Sequence, residues 1–317
     1  MKLVLDLLPT GVQQLSWNHY RELGGILASL PQSPDSMAHS AAYFLHTGRK
    51  GLYLVLEGDA HAFVAIHPNK DNSLLVLPAG GCFAPALWRE LCDRVSSGGW
   101  NVTLARIPSA RSSSVATIEC FRPIVEDALD WRFPVTVIDT ERLSKPSGGT
   151  FSRFREKINK ARRKGDISTI DQGSPLYAEL ELPLFNLISG WAHEVSETKG
   201  FALEHLISSN VAAYELGRRQ IVEIVCRIYH VDERVIGFCA TELPARGTTA
   251  NGIAMCVDRG WTGCSEFMYW TEAKALRELG FGRYNINGSE TQSLDDFRSK
   301  LRPVERIELK TYSFLGA

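Results

Sequence analysis

The order of patterned segments between Leu52 and Ile107 recurs between Ile221 and Asn287, and this recurrence constrains the fold more than any single motif. In the first half, Asn18 to Leu30 carries apolar residues at helical spacing. Leu52 to Leu56 and Ala62 to Ile66 are strand-like runs around Glu57-Gly58-Asp59, which reads as a hairpin turn. Leu74 to Leu77 is a third strand. Pro85 then opens a helix over Ala86 to Val95, and Val102 to Ile107 is a further strand. In the second half, helices over Leu176 to Val195 and Ser209 to Arg219 precede a strand from Ile221 to Tyr229. Val231-Asp232-Glu233 turns into Val235 to Ala240, and Asn251 to Val257 is the third strand. A helix over Ser265 to Leu279, stopped by Gly280 as a left-handed cap, and a strand over Arg283 to Asn287 complete the repeat. Between the halves, Arg111 to Ser114 reads as a polar loop, Phe133 to Ile138 as a strand, and Lys145 to Gly149 as a loop feeding a helix. The expectation is a duplicated mixed α/β fold with antiparallel strands at one edge of each sheet. The expected spans are a first domain at 1–130, a linker strand and basic helix at 131–174, and a second domain at 175–317.

Composition narrows the function classes. The chain of 317 residues is long enough for two cores, and its net charge of −1 gives no global attraction for nucleic acid. No run reaches the roughly 20 apolar residues that cross a bilayer. Met1 to Leu8 is apolar but short, is broken by Asp6, and with Lys2 alone lacks the basic n-region and small-residue cleavage site of a secretory signal, so a cytoplasmic protein is expected. The seven cysteines form no CxxC and no Cys/His pair at zinc spacing, so no metal is expected. Cys226, Cys239 and Cys256 sit inside apolar runs, where a thiol serves as a small core hydrophobe.

Three segments carry chemistry. Residues 153–165 hold seven basic residues against the single acid Glu156. On a helix, Arg153, Lys157, Lys160 and Lys164 share one face, while Phe154, Ile158 and Ala161 form an apolar face that docks on a core. A polyanion bound to the basic face would relieve the like-charge repulsion; a solvated basic helix is the alternative. The second segment is the turn Gly260-Trp261-Thr262-Gly263-Cys264-Ser265 before a helix. Its small residues, Gly263 and Ser265 above all, suit a phosphate at a helix N-terminus, with Ser265 as the N-cap; a plain strand-to-helix connection is the alternative. The third is Asn285 to Glu290, followed by a short helix carrying Arg298, Lys300 and Arg302 before Pro303. Those cations either hold an anion or complement the helix dipole.

These segments resemble the tandem-GNAT family that includes the catalytic domain of bacterial phosphatidylglycerol lysyltransferases and, more distantly, the Fem-type peptidoglycan aminoacyltransferases. The resemblance rests on GGTFSRFREKINKARRKG at 148–165, SEFMYWTEAKALRELGFGRYNING at 265–288 and SLDDFRSKLRP at 293–303. It covers the linker and second half; the first half matches only in element order. Arg298 stands where the family has Lys, so a forked donor replaces a point charge. The resemblance implies two GNAT-like domains, aminoacyl-tRNA as co-substrate with no bound cofactor, tRNA as partner, and a soluble or small-molecule acceptor, natural-product pathways included. It implies Asn287 for polarising the substrate, Glu290 for binding an α-amino group or accepting a proton, and Arg298 and Lys300 for the phosphate or ester end. His193 and Glu194 rank behind them. Two rival readings remain: an acyl-CoA-dependent N-acyltransferase holding pyrophosphate at 260–265, and a non-catalytic GNAT pair that binds RNA or protein. The spacing Arg259-Gly260-Trp261-Thr262-Gly263-Cys264 departs from the usual CoA turn by placing a Trp at a small-residue position.

Overall fold

The computed structural model describes residues 4–9, 12–116, 119–125, 129, 131–245 and 247–316. The first half supplies α1 (Val4–Leu7), β1 (Gln13–Leu15), α2 (Tyr20–Ser29), α3 (Ala41–Thr47), β2 (Leu52–Glu57), β3 (Ala60–Ile66), β4 (Ser73–Pro78), α4 (Pro85–Ser97), β5 (Asn101–Pro108), α5 (Ser109–Ala116) and β6 (Phe121–Ile124). Next come β7 (Val135–Asp139), α6 (Thr140–Ser144) and α7 (Ser152–Lys164). The second half adds β8 (Ser168–Asp171), α8 (Leu176–Glu179), α9 (Glu181–Lys199), α10 (Leu203–Arg218), β9 (Ile224–Val231), β10 (Arg234–Glu242) and β11 (Thr249–Val257). It closes with α11 (Cys264–Glu278), β12 (Arg283–Asn285), α12 (Gln292–Lys300), β13 (Glu305–Ile307) and β14 (Leu309–Phe314).

The chain divides into two compact units. One comprises Met1–Thr136, Asn287–Asp296 and Arg306–Ala317; the other comprises Val137–Ile286 and Phe297–Glu305. This differs from the contiguous spans expected at 1–130 and 175–317: Asn287 and Glu290 belong with the first unit, and the last strand returns to it.

Each unit is built on one seven-stranded sheet, in the orders β1-β2-β3-β4-β5-β14-β6 and β8-β9-β10-β11-β12-β7-β13. The orders match position by position. In both, three antiparallel pairings lead to one parallel pair, β4 with β5 and β11 with β12, followed by an antiparallel sixth strand. The parallel pairs stop short: β4 and β5 pair only as far as Val76 and Leu104, and β11 and β12 only as far as Asn251 and Asn285. The sixth position is exchanged. Strand β7, which follows the first half in sequence, pairs in the second sheet, whereas β14, which follows the second half, pairs in the first.

Local sequence accounts for the covering helices. In α4, Pro85 sits in the first turn after N-cap Ala84, and Leu87, Trp88, Leu91, Cys92 and Val95 are buried at helical spacing. In α11, Phe267, Met268, Ala273 and Leu276 are buried in the second core. Segment 111–114 corrects the sequence reading, because it lies inside helix α5. Serines favour turns in isolation, but Val115 enters the first core and the Tyr312 hydroxyl donates to the Ser112 carbonyl at 3.1 Å. The stretch expected as one helix from Leu176 to Val195 is two, α8 and α9, and α10 begins at Leu203, not Ser209. Cys226, Cys239 and Cys256 are all buried as expected, and burial pushes the Cys226 and Cys256 thiols up to about 12. Among the described residues no helix is long and apolar enough to cross a membrane, and no cluster of side chains fits a metal ion.

The buried His46 on α3 gives the fold a pH dependence. Burial, and then the charge of Arg49, lowers its pKa from 6.5 to about 3. The folded chain therefore holds a neutral imidazole, while the unfolded chain takes up a proton below pH 6.5. Its stabilising contribution is complete above that pH and is lost, at up to about 1.4 kcal/mol per pH unit, as pH falls toward 3. The urea midpoint is expected to drop between pH 7 and pH 5, and to drop less in His46→Gln.

Candidate functional site

Helix α7 forms as the sequence predicts. Phe154, Ile158 and Ala161 are buried, and Arg153, Lys157, Lys160 and Lys164 are exposed in one stripe. Burying Phe154 and Ile158 contributes roughly 1.5–3 kcal/mol each. The three like-charge pairs along the stripe cost only a few tenths of a kcal/mol each, so docking wins. Among the described residues no carboxylate pairs with Arg153, Lys157, Lys160 or Lys164. Arg155, off the stripe, donates to the carbonyls of Pro146 and Gly148 and holds the preceding loop.

The turn after β11 is pressed against this helix. Gly263 has φ +89° and is the N-cap of α11, correcting the expectation that Ser265 caps it; Ser265 lies in the first helical turn. A Cβ at Gly263 would stand 2.1 Å from the Lys157 carbonyl oxygen, so the glycine is required by both its backbone angle and the close approach. The Trp261 indole donates to the Ala161 carbonyl at 3.3 Å, and the Lys164 ammonium donates to the Gly260 carbonyl at 2.9 Å. Lys164 and Arg234 both lie near the Trp261 ring, at 5.6 and 5.8 Å from its centre. Within the turn, the Gly260 N–H bonds Asp258 Oδ1, the Trp261 N–H bonds the Asp258 carbonyl and the Cys264 N–H bonds the Trp261 carbonyl. Those three donors are taken by the turn itself and do not converge on an anion.

Gly260 also lines a groove of about 410 Å³ in the same unit. One wall is a face of α9 carrying Pro183, Leu187, Gly190, Trp191 and Glu194; the other is Arg234, Val235 and residues 257–260. Arg259 donates to Glu194 Oε1 at 2.8 Å across the groove, and Arg234 pairs with Asp258. Of the second-rank candidates, Glu194 thus reaches a groove, while His193 is exposed and is not part of its lining.

The first unit holds a different constellation, which sequence reasoning missed. Arg106 is buried on β5 with φ +61°, where three steps of β5 oppose two of β14, a bulge that re-aims its side chain. Its guanidinium donates to Asp35 Oδ2 through Nε at 3.2 Å and through Nη2, and to Asn287 Oδ1 at 3.0 Å. It lies 4.4 Å from the centre of the Tyr43 ring, and the Trp131 indole donates to the Tyr43 hydroxyl at 3.0 Å. Asn287 is itself buried with φ +65°, so its carboxamide oxygen braces Arg106 in place of facing an open cleft. Glu290 is half-buried with no hydrogen-bond or ionic partner among the described residues. Arg298 is half-buried and Lys300 exposed on α12. The structure therefore brings the Lys157 backbone carbonyl, the Lys164 ammonium and Gly263 together around the turn, and places Asn287 and Glu290 in the other unit.

No protein-family model matches the chain, and no curated protein matches its sequence. Solved structures do match. A conserved protein of unknown function from Bacteroides thetaiotaomicron VPI-5482 aligns with TM-score 0.71 and 14% identity over 96% of this chain and 99% of that one. L-PGS from Bacillus licheniformis aligns with TM-score 0.60 and 14% identity, over 93% and 91%. A tandem GNAT protein from the clavulanic acid biosynthesis pathway aligns with TM-score 0.53 and 13% identity, over 95% and 98%. With the matched strand orders of its two sheets, this likeness identifies the fold as two GNAT-like α/β units in tandem.

Proposed function

We propose that the chain is an acyltransferase that moves an aminoacyl group from charged tRNA to an amine or hydroxyl of a soluble acceptor. The α7 stripe carries this reading: four exposed cations without a carboxylate partner among the described residues, running to Lys164 and Gly260 at the mouth of a groove. On a chain of net charge −1, attraction for a polyanion has to be local. At 1.5 Å per residue the stripe is about 16 Å long, over which a nucleic-acid strand presents about five phosphates. The fold likeness to L-PGS is what suggests an aminoacyl donor. Such a donor is already activated. The acceptor's lone pair attacks the ester carbonyl, the tetrahedral adduct collapses, and the tRNA 3′-oxygen leaves as a hydroxyl carrying the acceptor's proton. The protein has mainly to position the two partners. The N–H groups of Gly260, Trp261 and Cys264 are already taken within the turn, which weighs against a CoA pyrophosphate held by those three donors.

The test is incubation with a pool of radiolabelled aminoacyl-tRNAs and a soluble amine. Loss of one ester faster than its spontaneous hydrolysis, with label appearing on the amine, is expected. Stabilisation by acetyl-CoA with no ester loss would replace this reading with a CoA-dependent one.

A further inference from the structure

We infer that the groove between α9 and the end of β11 is the seat of the donor's aminoacyl group, recognised through its α-ammonium; this rests on the tRNA reading. Helix α9 turns Leu184, Ile188 and Ala192 into the core and gives the groove a separate face. On that face Trp191 is half-buried with no ring, hydrogen-bond or ionic partner among the described residues. One turn on, Glu194 is held by Arg259 through Oε1 alone, so its second oxygen remains an open acceptor. An aromatic face beside an open carboxylate oxygen is the arrangement that receives an ammonium. Asp258 is less available, because Gly260 and Arg234 already occupy both its oxygens.

Gly190 is an independent sign. A glycine inside a helix is destabilising relative to alanine, and here a Cβ would meet nothing within 4 Å, so packing does not require the glycine. What a methyl group would enter is the groove. Its volume of about 410 Å³ falls in the range of small-ligand sites. The groove also continues the stripe, since Gly260 both lines it and accepts from Lys164. A polyanion on α7 would therefore bring its ester end to this opening.

The probe is an amide-linked 3′-aminoacylamino-adenosine, compared by calorimetric titration with the same compound lacking the α-amine. The full chain is expected to bind the amine-bearing probe at least roughly tenfold more tightly, the scale of one charge-assisted hydrogen bond. Glu194→Gln is expected to erase that preference, and Glu194→Asp to restore part of it. Gly190→Ala is expected to raise the melting temperature by roughly 1–4 °C while weakening the probe. Equal binding of the two probes, or unchanged binding in both Glu194→Gln and Gly190→Ala, overturns the inference. So does binding of simple primary amines in the same groove with no binding of the adenosine probe, which makes it an acceptor site. Retention of tRNA on filters is read separately. If tRNA is never retained yet the probe binds as expected, the tRNA reading fails and the ammonium seat stands.

Discussion

Lys157→Glu with Lys160→Glu is expected to lower tRNA retention roughly 100-fold or more in 0.1 M salt. A basic residue near an anionic surface is worth about 1 kcal/mol, and the double reversal changes the stripe's charge by four units. That sums to about 4 kcal/mol before screening, or up to about 1,000-fold in affinity. The salt dependence is the sharper reading, because the slope of log affinity against log salt should fall by about two phosphate contacts. Both lysines are exposed and carry no ion pair among the described residues, so the melting temperature should change little. Retention and slope equal to those of the unmodified protein would remove α7 from any nucleic-acid surface.

Asp35→Ala is expected to be the most damaging single substitution for stability in the first unit. The Arg106 and Asp35 side chains are 5% and 2% exposed, and the pair is closed by Asn287 and the Tyr43 ring. Removing the carboxylate takes two charge-assisted hydrogen bonds from a buried guanidinium, a loss of about 3–5 kcal/mol. It also removes the acceptor for the Met37 N–H. A fall in melting temperature of roughly 10 °C follows for a unit of this size. Asp35→Ala combined with Arg106→Met should recover much of the loss, since both buried charges are then gone. A single substitution costing under about 1 kcal/mol would mean that water reaches the pair.

The parts of the molecule that were readable from sequence are those with local causes. The hairpins, the Pro85 helix and the two faces of α7 each follow from residues within a few turns of one another. The Arg106 cluster does not. Its partners lie 71 and 181 residues away, and inside the run Val102 to Ile107 nothing marks the residue that will bulge. Strand β14 was missed for a similar reason: Lys310-Thr311-Tyr312-Ser313 has little apolar alternation, and its pairing strand lies about 200 residues upstream. In the candidate site, the basic stripe was legible, and Gly263 was singled out for a phosphate. The structure adds that its first obligation is to the Lys157 carbonyl. On the face of α9 toward the groove only Glu194 is singled out by the sequence, and in second rank, because Gly190 and Trp191 acquire meaning only beside Arg234 and Asp258, brought in by β10 and β11.

The exchange of β7 and β14 sets a timetable for biosynthesis. As the chain leaves the ribosome, residues 101–108 emerge long before the strand that will pair with them at 309–314. Until then β5 offers an unpaired edge, the kind of surface that recruits stray strands. The half that is translated first therefore completes its sheet only after residues 309–314 have been made.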